Sequence, residues 1–273
     1  MLPVTYPHRA PLVEGRLLRR YKRFLADVEL ASGEIVTAHC VNTGRMEGLL
    51  SGRPRVWLSR ADNPKRKLAW TWELIERDGV VIGANTALPN RLVRRLLEER
   101  RLPWLPKYDL VERERRFGES SRVDFRLSSP GVGHRRTTYL EVKNCHLLYP
   151  DERAYFPDAV SQRAAHHLEE LAAVQERPGL DRGHVLFTCQ MPGAKALRPS
   201  DAHDPTFAET ARRVRETGVR FSAIEVVHEV DTAADGGEAE AVVEVTRRVP
   251  VDLSPYSPRR MRRWLEEARR KDG

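Results

Sequence analysis

The sequence predicts an α/β protein, α+β overall: a small N-terminal β-barrel followed by a mixed sheet flanked by helices. Three observations carry this. The first 85 residues read as short strands between turns, helical periodicity begins only after them, and strands and helices then alternate. A chain of 273 residues fits two ordinary domains, and 40 % hydrophobic with 32 % charged residues suits a globular protein.

In the first part, Val28 to Leu30, the turn Ala31-Ser32-Gly33 and Ile35 to Cys40 predict a hairpin. Further strands are expected at Arg55–Ser59, Trp70–Glu76 and Val80–Gly83, with Asp78-Gly79 turning between the last two. Several short strands in about 80 residues suggest a small barrel, and by analogy the OB-like form that nucleic-acid-binding proteins use.

The second part opens with Asn90 as the expected cap of a helix over Arg91–Arg101. Leu92, Val93, Leu96 and Leu97 form its apolar stripe and Pro103 ends it. Three strands follow, at Leu110–Phe117, Arg122–Leu127 and Thr137–Lys143, and then a helix around Ala159–Gln175. Val185–Cys189 reads as a strand buried on both faces. Asp204-Pro205 starts a helix that Gly218 stops, and strands fit Val219–Val227 and Ala241–Val245. The acidic, Gly/Ala-rich stretch Asp231–Glu240 reads as a loop.

No stretch approaches the roughly 18 consecutive apolar residues of a membrane helix, and the N-terminus lacks the pattern of a signal peptide. The three cysteines, Cys40, Cys145 and Cys189, offer neither a zinc knuckle nor a disulfide framework, which fits a cytoplasmic protein with no membrane partner. The formal charge is +8, with +11 on residues 1–150 and −7 on residues 151–253. That asymmetry suits a polyanion partner, although a solvated arginine-rich surface needs none.

The segments Arg122-Val123-Asp124-Phe125-Arg126 and Tyr139-Leu140-Glu141-Val142-Lys143 carry the candidate chemistry. Strand side chains alternate faces, so Glu141 and Lys143 share one. On neighbouring strands, Asp124 and Glu141 can converge with Lys143 beside them. Two carboxylates and a backbone carbonyl are hard oxygen ligands for Mg²⁺ or Mn²⁺, and a bound ion would polarise a phosphate and acidify a water. This is the arrangement of PD-(D/E)xK phosphodiesterases. The plain alternative is two half-exposed strands with a surface ion pair.

Two further groups point to nucleic acid. Arg20, Lys22 and Arg23 mix with Tyr21 and Phe24, and Lys65, Arg66 and Lys67 precede Trp70 and Trp72. Phe24, Trp70 and Trp72 are expected mostly in the barrel core, and the cations on nucleic acid. On the helix after Phe156-Pro157-Asp158, Arg163 and His167 share a polar face. Arg122 belongs with these cations.

Together the segments resemble the sugar fermentation stimulation protein (SfsA) family. The resemblance runs through Arg20 to Val28, Asn42-Thr43-Gly44 with Met46, Asp62-Asn63 with Lys65-Arg66-Lys67, and Thr71-Trp72-Glu73. It continues through Ala84-Asn85-Thr86, Asn90-Arg91-Leu92, Ser121 to Phe125, Glu141-Val142-Lys143, Phe156 to Val160, Arg163 and His167-Leu168. It covers roughly residues 15–225 in order. The resemblance implies an OB-like nucleic-acid-binding domain over residues 1–85, a PD-(D/E)xK nuclease-like domain over 86–253 and a basic tail over 254–273. It implies DNA binding without marked sequence preference and an influence on sugar (maltose) utilisation genes. By position, Asp124, Glu141 and Lys143 fill the nuclease motif, with Glu114 as the upstream acidic residue. Ala164 and His166 depart from the family's usual Gly and Lys, and the loop Pro130–Thr137 looks inserted.

Three readings stay open at this point: a Mg²⁺- or Mn²⁺-dependent nuclease, a non-catalytic DNA-binding regulator on the same scaffold, and a protein whose cations serve RNA or another protein.

Overall fold

The computed structural model describes residues 2–46, 48–117, 121–129, 136–146, 148–176, 181–231 and 237–272. Most of the loops Pro130–Thr137 and Asp231–Glu240 lie outside the described residues, though Glu238–Glu240 already belong to a strand.

Strands β2 (Leu12–Tyr21), β3 (Leu25–Leu30), β4 (Ile35–His39), β5 (Arg55–Arg60) and β6 (Trp70–Arg77) run in the order β3-β4-β6-β5-β2. Pairing of β2 with β3 closes them into a five-stranded barrel, and β7 (Val80–Gly83) adds to β6. Alternation sends Leu17, Val28, Val56, Leu58, Trp72 and Ile75 inward, into a core whose buried residues run from Leu17 to Ala84 and against which Val13 and Met191 also pack. Closure brings β2 and β3 so near at Gly15 that a Cβ would meet Glu29 O at 2.8 Å and the Val28 side chain, so glycine is required there. Trp72 is fully buried as expected, but Trp70 is only partly buried and Phe24 is 48 % exposed. Phe24 follows the tight turn where Lys22 and Arg23 take left-handed φ of 49° and 65°, and that turn holds its ring outside the barrel.

After the barrel come α1 (Leu88–Glu98), β8 (Leu110–Phe117), β9 (Ser121–Ser129), β10 (Arg136–Cys145), β11 (Arg153–Phe156), α2 (Gln162–Ala173), β12 (Arg182–Cys189), β13 (Ala196–Pro199), α3 (Pro205–Glu216), β14 (Arg220–Asp231), β15 (Glu238–Val249) and α4 (Arg259–Asp272). The sheet order is β8-β9-β10-β12-β14-β15, with β10, β12 and β14 parallel and antiparallel strands on both sides. Helix α1 covers one face through Leu92, Val93, Leu96 and Leu97. Helices α2 and α3 cover the other through Leu168, Leu171, Phe207 and Val214. Hence Leu140 and Val142 on β10 face α1, while Tyr139 and Cys145 face α2 and α3.

Two junctions tie the barrel to this sandwich. Strand β1 (Val4–Pro7) pairs with β15 rather than with the barrel, and its Tyr6 packs among the α1 leucines. Leu12 and Val13 of β2 pair with Ala239 and Glu238 of β15. Within the basic tail, α4 buries Met261 and Leu265 against Tyr155. Asp204 caps α3 by accepting from Phe207 N at 2.9 Å, as its sequence position predicts. Asn90 does not cap α1. Ala87 stands at that position without a side-chain bond, and Asn90 lies inside the first turn.

Candidate metal centre and nucleic-acid interface

Strands β9 and β10 pair from Arg136↔Ser129 to Leu140↔Phe125, and the ladder ends there. One step further, Asp124 Oδ2 accepts the backbone N–H of Val142 at 2.7 Å, so the side chain replaces a carbonyl that the parted strand no longer offers. Its other oxygen accepts from Asn90 Nδ2 at 2.7 Å, which explains why Asn90 is not free to cap the helix.

Glu141 faces α2, as the alternation on β10 requires. Its Oε1 accepts from Lys143 Nζ at 2.7 Å and meets His167 Nδ1 at 2.8 Å. Arg163 Nε donates to His167 Nε2 at 3.4 Å, which leaves Nδ1 as the ring nitrogen that donates to Glu141. Glu141 Oε2 is buried and has no hydrogen-bond partner.

Burial, and after it the nearby Glu141 charge, pushes the Asp124 carboxyl up to about 6. Burial also opposes ionisation of Glu141, but the His167 bond and the Lys143 ammonium outweigh it and hold Glu141 below the usual carboxylate range. The two carboxyls thus hold protons with unequal affinity, the Glu141 charge disfavouring ionisation of Asp124 while Lys143 favours ionisation of both.

These residues suit a hard divalent cation. The test is the orphaned Glu141 Oε2, a buried acceptor without a donor, beside a carboxylate whose ionisation is disfavoured by burial and by the Glu141 charge. Among the described residues, no group of three or more His, Cys, Asp or Glu side chains forms a ready ligand set. An ion held by Asp124 and Glu141 would complete its shell with backbone carbonyl and water, as Mg²⁺ commonly does.

Glu114 does not join this cluster. It falls between the paired positions Arg113↔Phe125 and Arg115↔Val123, across from Asp124, but takes φ 50° and faces solvent. It lines a groove with Arg115, Arg116, Arg122 and Arg126. The neighbouring Glu112 instead pairs with Arg115 and Arg126.

The expected nucleic-acid residues divide into two groups. Lys22, Arg23, Lys65, Arg66, Lys67, Arg122 and Arg163 are exposed. Arg20 is half-buried and spends its guanidinium on the carbonyls of Arg23 and Asn42, bracing the turn. His167 is 4 % exposed, so it orients Glu141 and cannot reach a polyanion. Sequence reasoning missed the part Asn90 plays toward Asp124. The string Asn90-Arg91-Leu92 was a signal, but the bond spans 34 residues and depends on how α1 crosses the sheet.

The profile described as "Sugar fermentation stimulation protein RE domain" matches residues 87–232, and "SfsA N-terminal OB domain" matches residues 18–84. The sugar fermentation stimulation protein homolog of Maricaulis maris is 46 % identical over 212 residues, covering 78 % of this chain and 88 % of its own. That of Chromohalobacter salexigens is 44 % identical over 248 residues, covering 89 % of this chain and 93 % of its own. The structure of Pyrococcus furiosus SfsA in complex with Ca²⁺ superposes with a TM-score of 0.74 at 24 % identity, over 89 % of this chain and 96 % of that one. The two proteins share their fold.

Proposed function

The chain belongs to the sugar fermentation stimulation protein family, and from that premise we propose that it binds DNA with little sequence preference and cleaves it at a divalent-cation site formed by Asp124 and Glu141. The observation that carries this reading is the buried carboxylate pair: one member pushed up to about 6, the other with an unpartnered oxygen, and a lysine 2.7 Å away. The Ca²⁺ in the archaeal relative supports a divalent ion, because Ca²⁺ and Mg²⁺ favour the same oxygen donors. Mg²⁺ or Mn²⁺ is the ion we assign, and cysteines that form no disulfide among the described residues suit the cytoplasm.

Each residue has a task. Asp124 and Glu141 hold the ion, which when bound would supply Lewis acidity toward a phosphate oxygen and an acidified water. Asn90 and Val142 N fix the Asp124 carboxylate, and His167 fixes that of Glu141. Lys143 places an ammonium where negative charge grows on the phosphate. The exposed cations Lys22, Arg23, Lys65, Arg66, Lys67, Arg122 and Arg163 supply affinity through phosphate contacts that carry no sequence information.

One observation favours a second reading, a non-catalytic DNA-binding regulator of sugar metabolism genes. Glu141 Oε1 is already shared by Lys143 and His167, so the scaffold can stand without an ion. Incubating the protein with single- and double-stranded DNA and RNA, with Mg²⁺, Mn²⁺ or chelator, separates the two. Metal-dependent cleavage that Asp124→Asn abolishes is expected. Tight DNA binding with no cleavage under any of these conditions would establish the regulator instead, and cleavage of RNA alone would change the substrate.

A further inference from the structure

Between the barrel and α1 opens a cavity of about 820 Å³. Its walls come from β1, β5, β6, the loop after β5 and the first turns of α1. Five arginines and two carboxylates line it, a net of three positive charges. Some of these guanidiniums are held in place without being neutralised. Arg66 donates to Thr71 Oγ1 at 2.9 Å and meets His39 Nδ1 at 3.1 Å, both uncharged partners, because burial and then Arg66 itself hold His39 below its ordinary pKa. Arg60 lies over the Trp70 ring, 5.7 Å from its centroid. Arg91, by contrast, forms an ion pair with Glu73 at 3.7 Å, a carboxylate that also accepts from Ser59 Oγ and Asn85 Nδ2.

Helix α1 adds to the positive wall. Its first turn has no side-chain cap, and the positive end of its dipole opens beside Ala87 and Leu88, which line the cavity. Helix α1 also carries a residue of the carboxylate site. Arg91 lines the cavity, and its neighbour Asn90 donates to Asp124 at 2.7 Å.

We propose that this cleft takes a single nucleic-acid strand and leads its backbone toward Asp124. The inference rests on the DNA-binding reading and adds what that reading lacks, the form of the strand and its route. The volume is that of a small-ligand pocket. A duplex, whose major groove alone is about 12 Å wide, does not enter it. Single-strand sites on such barrels combine a cationic groove with flat rings for the bases. Here the arginines supply the first, and the neutral His39 ring with the Arg60–Trp70 stack at the rim supplies the second.

The test is fluorescence anisotropy in chelator, so that cleavage plays no part, with labelled oligo-deoxythymidylate of about twelve nucleotides and a hairpin duplex of equal length. The double variant Arg60→Ala with Arg91→Ala should weaken the single strand about tenfold and the hairpin much less. Lys65→Ala with Lys67→Ala removes as many charges outside the cavity lining and should weaken both probes alike. Arg60→Lys with Arg91→Lys should recover part of the single-strand affinity, which a misfolded variant would not. Unchanged single-strand binding in the alanine variant, or an equal loss on both probes, overturns the cleft assignment alone. A parent protein that binds neither probe overturns the DNA-binding reading as well.

Discussion

Replacing Asp124 by Asn should make the protein more stable while removing its proposed chemistry. The Asp124 carboxyl titrates at about 6 in the folded chain against an ordinary 3.8. Below pH 3.8 the group is protonated in both folded and unfolded chains and costs nothing. Above pH 6 it is ionised in both, and its ionisation in the folded state costs the protein stability. A shift of about 2 units corresponds to about 3 kcal/mol. Asparagine removes that cost but has one amide oxygen for two donors, Val142 N and Asn90 Nδ2, which forfeits about 1 kcal/mol. The net at pH 8 is a gain of about 2 kcal/mol, or about 4–8 °C in melting temperature for a chain of this size. Below pH 4 the gain vanishes and the variant should be the weaker by about 1 kcal/mol. Thermal melts in chelator at pH 4, 6 and 8 measure this directly. A variant less stable than the parent at pH 8 would refute the argument that the carboxylates form an undercompensated pair.

Three further outcomes follow from the same geometry. Lys143→Ala should abolish cleavage while keeping metal binding, since the ammonium is a partner of Glu141 rather than a ligand; loss of both together would assign Lys143 to the ion's support. DNA affinity should fall steeply and similarly for unrelated sequences as salt rises from 50 to 200 mM, roughly 10-fold or more, and Lys65→Ala, Arg66→Ala and Lys67→Ala together should flatten that slope. Salt-insensitive binding would contradict it. Burial lowers His8 to about 4, and His184 and His228 to about 3, so each contributes stability that is complete above pH 6.5 and is lost as the unfolded chain gains protons below it. Stability of the parent should therefore decline between pH 6.5 and 4 despite the opposite, smaller contribution of Asp124, and His228→Gln should make that decline shallower in urea titrations.

Where the sequence was legible, local rules and tertiary packing agreed. The turns at Ala31-Ser32-Gly33 and Asp78-Gly79 and the Asp204-Pro205 cap stand where their chemistry places them. Alternation on β10 was enough to put Glu141 and Lys143 on one face. What escaped depends on distant chain. Strand β2 carries Arg16, Arg19 and Arg20 and reads as a charged surface until barrel closure buries Leu17 and the junction with β15 buries Leu12. Strands β1, β11 and β13 have four residues each, too few for a period to show. His167 lies on a helix face that looks polar because its partner, Glu141, is 26 residues away. The cleft beside α1 joins β1 to residues some 85 positions later. We propose the division between barrel and sandwich between about Gly83 and Asn90, with β1 crossing it to pair with β15.

The claim on which the rest depends is that Asp124 and Glu141 together hold a divalent cation. Calorimetric titration of the protein with Mn²⁺ at pH 8 tests it without any assumption about substrate. The account predicts one saturable class of sites that weakens as the pH is lowered through 6, where Asp124 gains its proton, and that disappears in Asp124→Asn. Heat of binding that is absent in the parent, or equally present in Asp124→Asn, would contradict it.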